Sequence, residues 1–519
     1  MPFKVLLISP PIFDFYTTIG RLEPLGLYYL KSAVSDIPDL EVEIYDSHKK
    51  RKSKIIQRPE IFSYLSEIYS EDRSVFSLLN HYKRFGVSYD RIITHIKDSN
   101  YDIIGISCMF SAYYPDVDDL IHRIKSIYNG PVMIGGWAVK AEAESIISKS
   151  SADIFIFKDD ELSFRKIITS LMNGIIPDNS NAFFVKNSGF LLHEKTLTID
   201  YPELDNNFFE KVVTREHPYY FRKDPIYKVI TSTGCFNRCS FCSIWRNCYY
   251  KKRSTYSIRN ELEYILSIGG KTVNFEDDNL FSDNNDSDNL IRMLKEYHKR
   301  GLSYTAMNGI TAVNATNIID RLIDCGFIEF NFSLVTSNTK SAVKNNRPFN
   351  ISVFENILNV INWRIDTIVF LILGLPDSPL SEMLESISAL SAMQTMIGVS
   401  PLYLLPSIDM FEKIGLPEDN RLMRGSALYR FPGCIKREDI ASLWKFVRMI
   451  NFLKSQNFND IAMNEDLHYF FKSIHDKTWY KKNIDNSWIP SFSFSVDLPL
   501  SIVIANKYHQ SKKLQDLKG

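Results

Sequence analysis

Along the first 175 residues, short unbroken apolar runs alternate with segments whose apolar positions recur every three to four residues. The runs Lys4 to Ser9, Val42 to Tyr45, Asp102 to Ser107, Val132 to Ile134 and Ile154 to Phe157 have the length of strands buried on both faces. Tyr89, Ile92, Ile93 and Ile96, and then Val117, Leu120, Ile121 and Ile124, each mark one face of a helix. Strand and helix alternating in this way predict a doubly wound, Rossmann-like parallel sheet over residues 1–175. Such sheets bind ligands beyond the carboxyl ends of their strands. Those ends carry Ser9-Pro10-Pro11, Ser107-Cys108-Met109-Phe110-Ser111, Gly135-Gly136-Trp137 and Lys158-Asp159-Asp160-Glu161. Residues 50–87, rich in charge and aromatics, read as a partly helical insertion with no legible chemistry.

Residues 176–226 read as a connector, with a hairpin of Ala182 to Val185 and Phe190 to His193 turning at Asn187-Ser188-Gly189. A second alternating series starts at Tyr227. It sets strand Tyr227 to Thr231 before a helix from about Ile258 to Ile268, with Leu262, Ile265 and Leu266 on one face, and strand Thr272 to Phe275 follows. Ser303 to Met307 then pairs with Ile318 to Cys325, Phe327 to Leu334 with Val353 to Ile361, and Thr367 to Leu373 with a helix opened by Ser378-Pro379. A last strand is expected near Leu402 to Leu405. These βα units predict a partial (β/α)6 barrel over residues 227–424, with its chemistry at the carboxyl ends of the strands. Residues 425–519 are expected to form a mostly helical C-terminal cap, beginning with a helix at Ile440 to Phe452. Its later aromatics, Tyr469, Phe470, Phe471, Trp479, Tyr480, Trp488, Phe492 and Phe494, suit either plain core or a pocket for a large substrate.

Composition narrows the class. Lys plus Arg equals Asp plus Glu at 61 each, so no global field draws the chain to nucleic acid or anionic lipid. Apolar residues make up 45 %, enough for large cores, yet no run approaches the 18 or so residues of a membrane span. The N-terminus reads as a strand and a turn and lacks the apolar core and cleavage site of a signal peptide, so a reducing, cytoplasmic setting is expected.

The run Thr233-Gly234-Cys235-Phe236-Asn237-Arg238-Cys239-Ser240-Phe241-Cys242 is the strongest chemical signal. Seven cysteines in 519 residues are sparse, and three of them fall within eight positions. Three thiolates in one loop suit three irons of a 4Fe-4S cubane and leave the fourth iron open. The bland alternative is structural zinc, which wants four ligands, usually as two close pairs, and no second pair exists, although Cys248 stands six residues on. Cys108, Cys325 and Cys434 are isolated and read as small buried hydrophobes. Gly234 suits a loop that wraps closely around a cluster.

This CxxxCxxC spacing with an aromatic, Phe241, before the last cysteine resembles the radical S-adenosylmethionine (SAM) enzymes. The resemblance implies a 4Fe-4S cluster on Cys235, Cys239 and Cys242, SAM chelated by the open iron, and Phe241 near adenine. Pro10-Pro11 after the first strand, Pro24-Leu25-Gly26 opening the first helix, Gly135-Gly136 after the fourth strand and the stretch from His81 to Ser88 resemble the cobalamin-binding domain that precedes the barrel in one large subclass. Cobalamin contacts are accordingly expected from Pro10, Pro11, Ser107, Met109, Phe110, Ser111, Gly135, Gly136, Trp137, Asp160 and Glu161. Two departures stand out. Lys158-Asp159-Asp160-Glu161 replaces the subclass's Gly-Glu-Gly-Glu, which removes two glycines from a place of close backbone approach. Asp46-Ser47-His48 imitates a cobalt-ligating motif, but Arg51 sits where its glycine belongs and the motif follows the wrong strand. His48 therefore reads as a solvated residue heading a basic run, and the resemblance implies cobalamin bound without a protein histidine.

Asp277 and Asp278 by themselves suit a magnesium pair, an acid and base, or solvated strand-end carboxylates. The resemblance places Glu276, Asp277 and Asp278 near the SAM ammonium, Asn331 and Ser333 at the ribose, and Leu404 and Leu405 beside adenine. It likens Gly374-Leu375-Pro376-Asp377 to a fifth-strand turn. Gly270-Lys271-Thr272 imitates a phosphate-loop tail, but the order runs from helix to strand and Ile265 stands at the first glycine. The activity implied is SAM cleavage to a 5′-deoxyadenosyl radical followed by methylation of an unactivated carbon on a secondary-metabolite-type substrate, small molecule or peptide, with electrons from a donor such as flavodoxin or ferredoxin. Non-methylating cyclisation, oxidation or rearrangement is the enzymatic alternative, and a non-catalytic cobalamin or metal sensor the alternative of another class.

Overall fold

The computed structural model describes residues 2–455 apart from 19–20, 51, 70–78, 159, 181, 187–210, 222, 248–249, 282–286, 312–317, 348–350, 363, 392 and 407. The second arm of the expected hairpin, Cys248 and the C-terminal aromatics lie outside the described residues.

Strands β1 (Phe3–Ser9), β2 (Leu40–Asp46), β3 (Ile103–Ser107), β4 (Val132–Gly135) and β5 (Ile154–Ile156) form a parallel sheet in the order β2-β1-β3-β4-β5. Alternation along β1 sends Leu6 and Ile8 to one core with the helices Tyr89–Lys97 and Tyr114–Lys125. Val5 and Leu7 go to the other, with α1 (Leu25–Ala33) and α2 (Asp160–Met172). The predicted helical faces are buried as patterned, Ile92 and Ile96 on one helix and Val117, Leu120, Ile121 and Ile124 on the next. Strand order reverses between β1 and β3, which opens a crevice at their carboxyl ends.

The connector contributes to both sheets. Its strand β6 (Phe183–Val185) pairs antiparallel with β5, and β7 (Tyr219–Phe221) pairs antiparallel with the first strand of the second sheet. That sheet continues through the parallel strands β8 (Asp224–Val229), β9 (Thr272–Phe275), β10 (Ser303–Ile310), β11 (Phe327–Val335), β12 (Asp366–Leu373) and β13 (Met396–Pro401). Helix α3 (Thr255–Ser267) follows β8, capped by Ser254 whose hydroxyl accepts from Ser257 N–H. The last strand is thus Met396–Pro401 and not Leu402 to Leu405; the latter residues leave the sheet, and Leu404 N–H donates to Met423 O instead (2.9 Å). Helix α4 (Arg437–Ser455) covers β13, and the Asn451 amide both accepts from Ile397 N–H (2.9 Å) and donates to Ile397 O (2.7 Å), occupying the strand's outer edge.

The insertion is a brace. Phe62 and Leu65 share the barrel's core with Phe446 and Val447 of α4, and Tyr64 Oη donates to Ala427 O (2.6 Å). Among the described residues no helix is long and apolar enough to cross a membrane.

Candidate active site

The carboxyl ends of the two sheets face each other. Trp137, just after Gly135-Gly136, donates its indole N–H to Ser243 Oγ beside the cysteine loop (3.2 Å). Arg21 of the N-terminal half donates to Glu276 Oε2 (3.0 Å) and Asn308 Oδ1 (2.8 Å) at the barrel mouth.

Strand β8 delivers the chain into the cysteine loop. Gly234 turns it with φ +80, a left-handed value that favours glycine. The loop is laced from within: Cys242 N–H donates to Cys239 O (3.2 Å), Trp245 Nε1 to the same carbonyl (3.1 Å) and Asn237 N–H to Cys235 Sγ (3.4 Å). Burial pushes the Cys242 thiol up to about 11, and the sulfurs of Cys239 and Cys235 add to the shift, so the three are electrostatic neighbours. Yet among the described residues no three His, Cys, Asp or Glu side chains converge as ligands of one metal ion. A cubane takes one thiolate per iron, so its ligands stand around a body rather than meeting at a point.

The acidic run after β9 is divided among three tasks. Asp277, 1 % exposed, accepts from the N–H and hydroxyl of both Thr231 and Ser232, with hydroxyl contacts of 2.6 and 2.7 Å, and thereby ties the end of β8 to the end of β9. Burial pushes its carboxyl upward against those donors. Glu276 turns to Arg21, Lys228 and Asn274; burial pulls its pKa up, but the two cations prevail and hold it below the usual range. Asp278 accepts Gly234 N–H at the cysteine loop (2.8 Å), and burial raises its carboxyl while Gly234 and Lys140 of the N-terminal half oppose. Of the three, Asp278 is the carboxylate attached to the loop itself.

Phe241, Leu404 and Leu405 come together in one apolar cluster with Met423 and with Ala112 from beyond β3. Asn331 on β11 is buried, donates to Met307 O (2.7 Å) and leaves its Oδ1 without a protein partner. Ser333 is half-buried two residues on, its carbonyl held by Arg347 (2.9 Å). Gly374 ends β12 with φ +86, and Asp377 pairs with Lys344 (2.9 Å). Gly270-Lys271-Thr272 joins α3 to β9, from helix to strand, as expected of a decoy.

On the N-terminal side, Gly136 has φ +107 and ψ −177, a conformation reserved for glycine, and a Cβ there would lie 2.6 Å from Cys108 O. The crest between β3 and β4 is therefore bare backbone, flanked by Met109 and Phe110, which are 56 % and 44 % exposed. Pro10 and Pro11 end β1, Ser111 is buried, and Asp160 pairs with Lys140 (2.8 Å) at the start of α2. Glu161 follows, its carboxyl raised by burial and by Asp160. His48 is not solvated: it is 3 % exposed, its Nε2 bonds Pro10 O (3.0 Å) and its Nδ1 has no partner. The end of β2 lies beside the end of β1, which carries His48 beneath the proline turn and out of the basic run. Cys108 and Cys325 are buried as expected, and Cys434 is half-buried in the Phe241 cluster.

The B12 binding domain family matches residues 78–168, and the Radical SAM superfamily matches residues 229–390. The chain carries a radical SAM domain with a B12-binding domain ahead of it. The two matched domains are those for cobalamin and for radical SAM chemistry. Among solved structures it is similar to the radical SAM methyltransferase TsrM from Kitasatospora setae with cobalamin and a [4Fe-4S] cluster bound, at 15 % identity and TM-score 0.58, over 80 % of this chain and 78 % of that one. It is also similar to the cobalamin-dependent SAM radical enzyme OxsB with aqua-cobalamin and SAM bound, at 14 % identity and TM-score 0.55, over 92 % of this chain and 69 % of that one. At these identities the likeness is one of fold. No curated protein matches the sequence.

Two buried ionic nodes join the B12-binding domain to the radical SAM barrel, and neither was foreseen from sequence. In the first, Arg215 donates to Glu23 Oε1 (3.0 Å) and Glu261 Oε1 (2.9 Å), and Arg253 pairs with the other Glu261 oxygen. The side chains of Arg215, Arg253 and Glu261 are fully buried. In the second, Arg424 donates to Phe13 O and to Ala112 O (2.9 Å), while Asp14 accepts from Ser426 Oγ (2.6 Å) and Tyr113 Oη (3.0 Å). Position 261 lies on the inner side of α3, one residue before Leu262, and a charge on a buried helical face was the available signal.

Proposed function

We propose that this protein is a C-methyltransferase that uses radical SAM and cobalamin chemistry on an unactivated carbon of a secondary-metabolite-type substrate. The observation that carries the reading is the contact of Trp137 with Ser243, which sets the bare Gly135-Gly136 crest against the cysteine loop. When bound, the cluster and SAM would supply a 5′-deoxyadenosyl radical and cobalamin a transferable methyl group. The chain's own part is placement. Cys235, Cys239 and Cys242 hold the cluster. Asp278, with one oxygen fixed by Gly234 N–H, faces the SAM ammonium; Asn331 offers its unpartnered Oδ1 to a ribose hydroxyl; Phe241, Leu404 and Leu405 pack on adenine. Asp277 and Glu276 serve behind them, the first by fixing the loop's entry and the second by tying in Arg21.

On the other side Pro10, Pro11, Ser107, Met109, Phe110, Ser111, Gly135, Gly136, Trp137, Asp160 and Glu161 receive cobalamin. His48, held on Pro10 O, supplies no ligand to cobalt. The compartment is the reducing cytoplasm, the substrate a small molecule or peptide, and the electron comes from a low-potential carrier such as flavodoxin or ferredoxin. The test needs no substrate. Anaerobically reconstituted protein with dithionite and SAM is expected to form 5′-deoxyadenosine, and to form S-adenosylhomocysteine only when cobalamin is also present. 5′-Deoxyadenosine without S-adenosylhomocysteine would favour a non-methylating rearrangement, and one metal per chain with no SAM cleavage would favour a sensor.

A further inference from the structure

The middle cysteine of the triplet is gripped from across the barrel. After β11 the short helix Thr339–Lys344 runs into Asn345, Asn346 and Arg347. Asn345 accepts Ser240 N–H on its backbone carbonyl (3.2 Å) and Ser240 Oγ on its Oδ1 (2.7 Å). Two residues later, Arg347 donates Nη2 to Ser333 O (2.9 Å) and presents Nη1 to Cys239 Sγ at 3.5 Å. One tooth of the guanidinium fork is fixed on β11, which aims the other at the sulfur. Cys239 itself is 3 % exposed, so water does little to screen the contact. Among the described residues, Cys235 receives only a neutral backbone N–H, from Asn237.

A cationic donor on a ligating sulfur has a directional effect. Reduction adds one electron, and part of that charge resides on the sulfurs; a guanidinium hydrogen bond stabilises the electron-rich state more than the oxidised one. We infer that Arg347 is a positioning residue that raises the reduction potential of the cluster through Cys239, and so sets how strong an electron donor the enzyme needs. This rests on the cluster reading of the triplet. Arg, with its planar fork, can hold Ser333 O and the sulfur together, whereas Lys offers a single point charge on a flexible stem.

The test compares wild type with Arg347→Gln, Arg347→Lys and Asn345→Ala after anaerobic reconstitution, by iron content and by an EPR-monitored redox titration without SAM. Arg347→Gln is expected to make the reduced cluster about tenfold less favoured, a shift of about 59 mV to more negative potential for a one-electron couple. Arg347→Lys is expected to shift the same way by less. Asn345→Ala removes a clamp without touching the charge and should keep the wild-type potential while holding the cluster less tightly. Wild-type potential in Arg347→Gln, or equal shifts in the Gln and Asn345 variants, overturns the proposal. If the Gln variant fails to load a cluster, the Lys variant carries the test, and a wild-type potential there overturns it. A wild-type protein with fewer than about four irons and no reduced-cluster signal would instead sink the cluster reading.

Discussion

The two sets of strand ends that meet in this molecule are furnished in opposite ways. The crest of the B12-binding domain is neutral along the ends of β1, β3 and β4, with glycine backbone at Gly135 and Gly136, prolines at Pro10 and Pro11, and the exposed side chains of Met109 and Phe110, while Asp160, paired with Lys140, and Glu161 put charge at the start of α2. The barrel mouth is dense with polar atoms, and most of them are already engaged: Asp277 on Thr231 and Ser232, Glu276 on Arg21, Asp278 on Gly234, Arg347 on Ser333 and Cys239. A broad macrocycle is accommodated by shape and close backbone approach. A small zwitterion and a charged cluster need oriented charges whose own positions are fixed. On the proposed reading the contrast amounts to two recognition strategies, shape on the B12-binding side and preorganised electrostatics at the barrel mouth.

The largest effect should come from removing one side at a time. Cys239→Ala is expected to abolish iron loading and 5′-deoxyadenosine formation while leaving cobalamin bound, as read by metal analysis and the optical spectrum. Gly136→Val puts a side chain at φ +107 and within 2.6 Å of Cys108 O, and should weaken cobalamin binding by more than tenfold with iron content unchanged. If either variant loses both cofactors in a folded protein, the division between the two sides is wrong.

A smaller effect is expected from the tie between them. Glu261→Gln leaves Arg215 and Arg253 buried with one carboxylate fewer, and removing one partner of a buried pair typically costs about 3–5 kcal/mol. Thermal unfolding should fall accordingly, and both cofactors should be lost together on warming. An unchanged melting temperature would mean that this node does not join the domains.

The smallest lies beneath the neutral crest. Burial holds the His48 imidazole below its ordinary 6.5, although Asp46 pulls the other way. The unfolded chain then takes up the proton first, so the contribution is complete above about pH 6.5 and is lost as pH falls toward the depressed value, by at most about 1.4 kcal/mol per pH unit. Urea unfolding at pH 7 and 5.5 should show His48→Gln with a flatter acid limb than wild type. An equal slope would mean that His48 takes up its proton as readily in the folded protein as in the unfolded chain.

What was legible in the sequence was whatever depended on local pattern. Val5 to Ile8 of β1, Ile103 to Ile106 of β3 and Val132 to Ile134 of β4 are short runs free of polar side chains, and the cluster loop is a spacing of three rare residues. Errors arose where a distant partner decides. Leu402 to Leu405 are apolar because they pack against Phe241 and Ala112, while the true last strand, with Gly398 and Ser400, is stabilised from outside by the Asn451 amide. His48 sits in a basic run, yet its burial follows from Pro10, 38 residues earlier. Glu261 is tolerable on an inner helical face only because Arg215 and Arg253 arrive there, and Arg347 reaches Cys239 across 108 residues. None of these pairings has a sequence period to announce it.

The connector's two strands have a consequence for anyone dividing the protein. Phe183–Val185 lies along β5 and Tyr219–Phe221 along β8, so a single linker hems one border of each sheet. A cut that assigns the linker to either half leaves the other with a naked row of amide and carbonyl groups, ready to recruit a strand from a neighbouring molecule. Each half expressed alone should carry its own hemming strand, the first ending after Val185 and the second beginning before Tyr219, and the linker is thereby a tailoring seam as much as a tether.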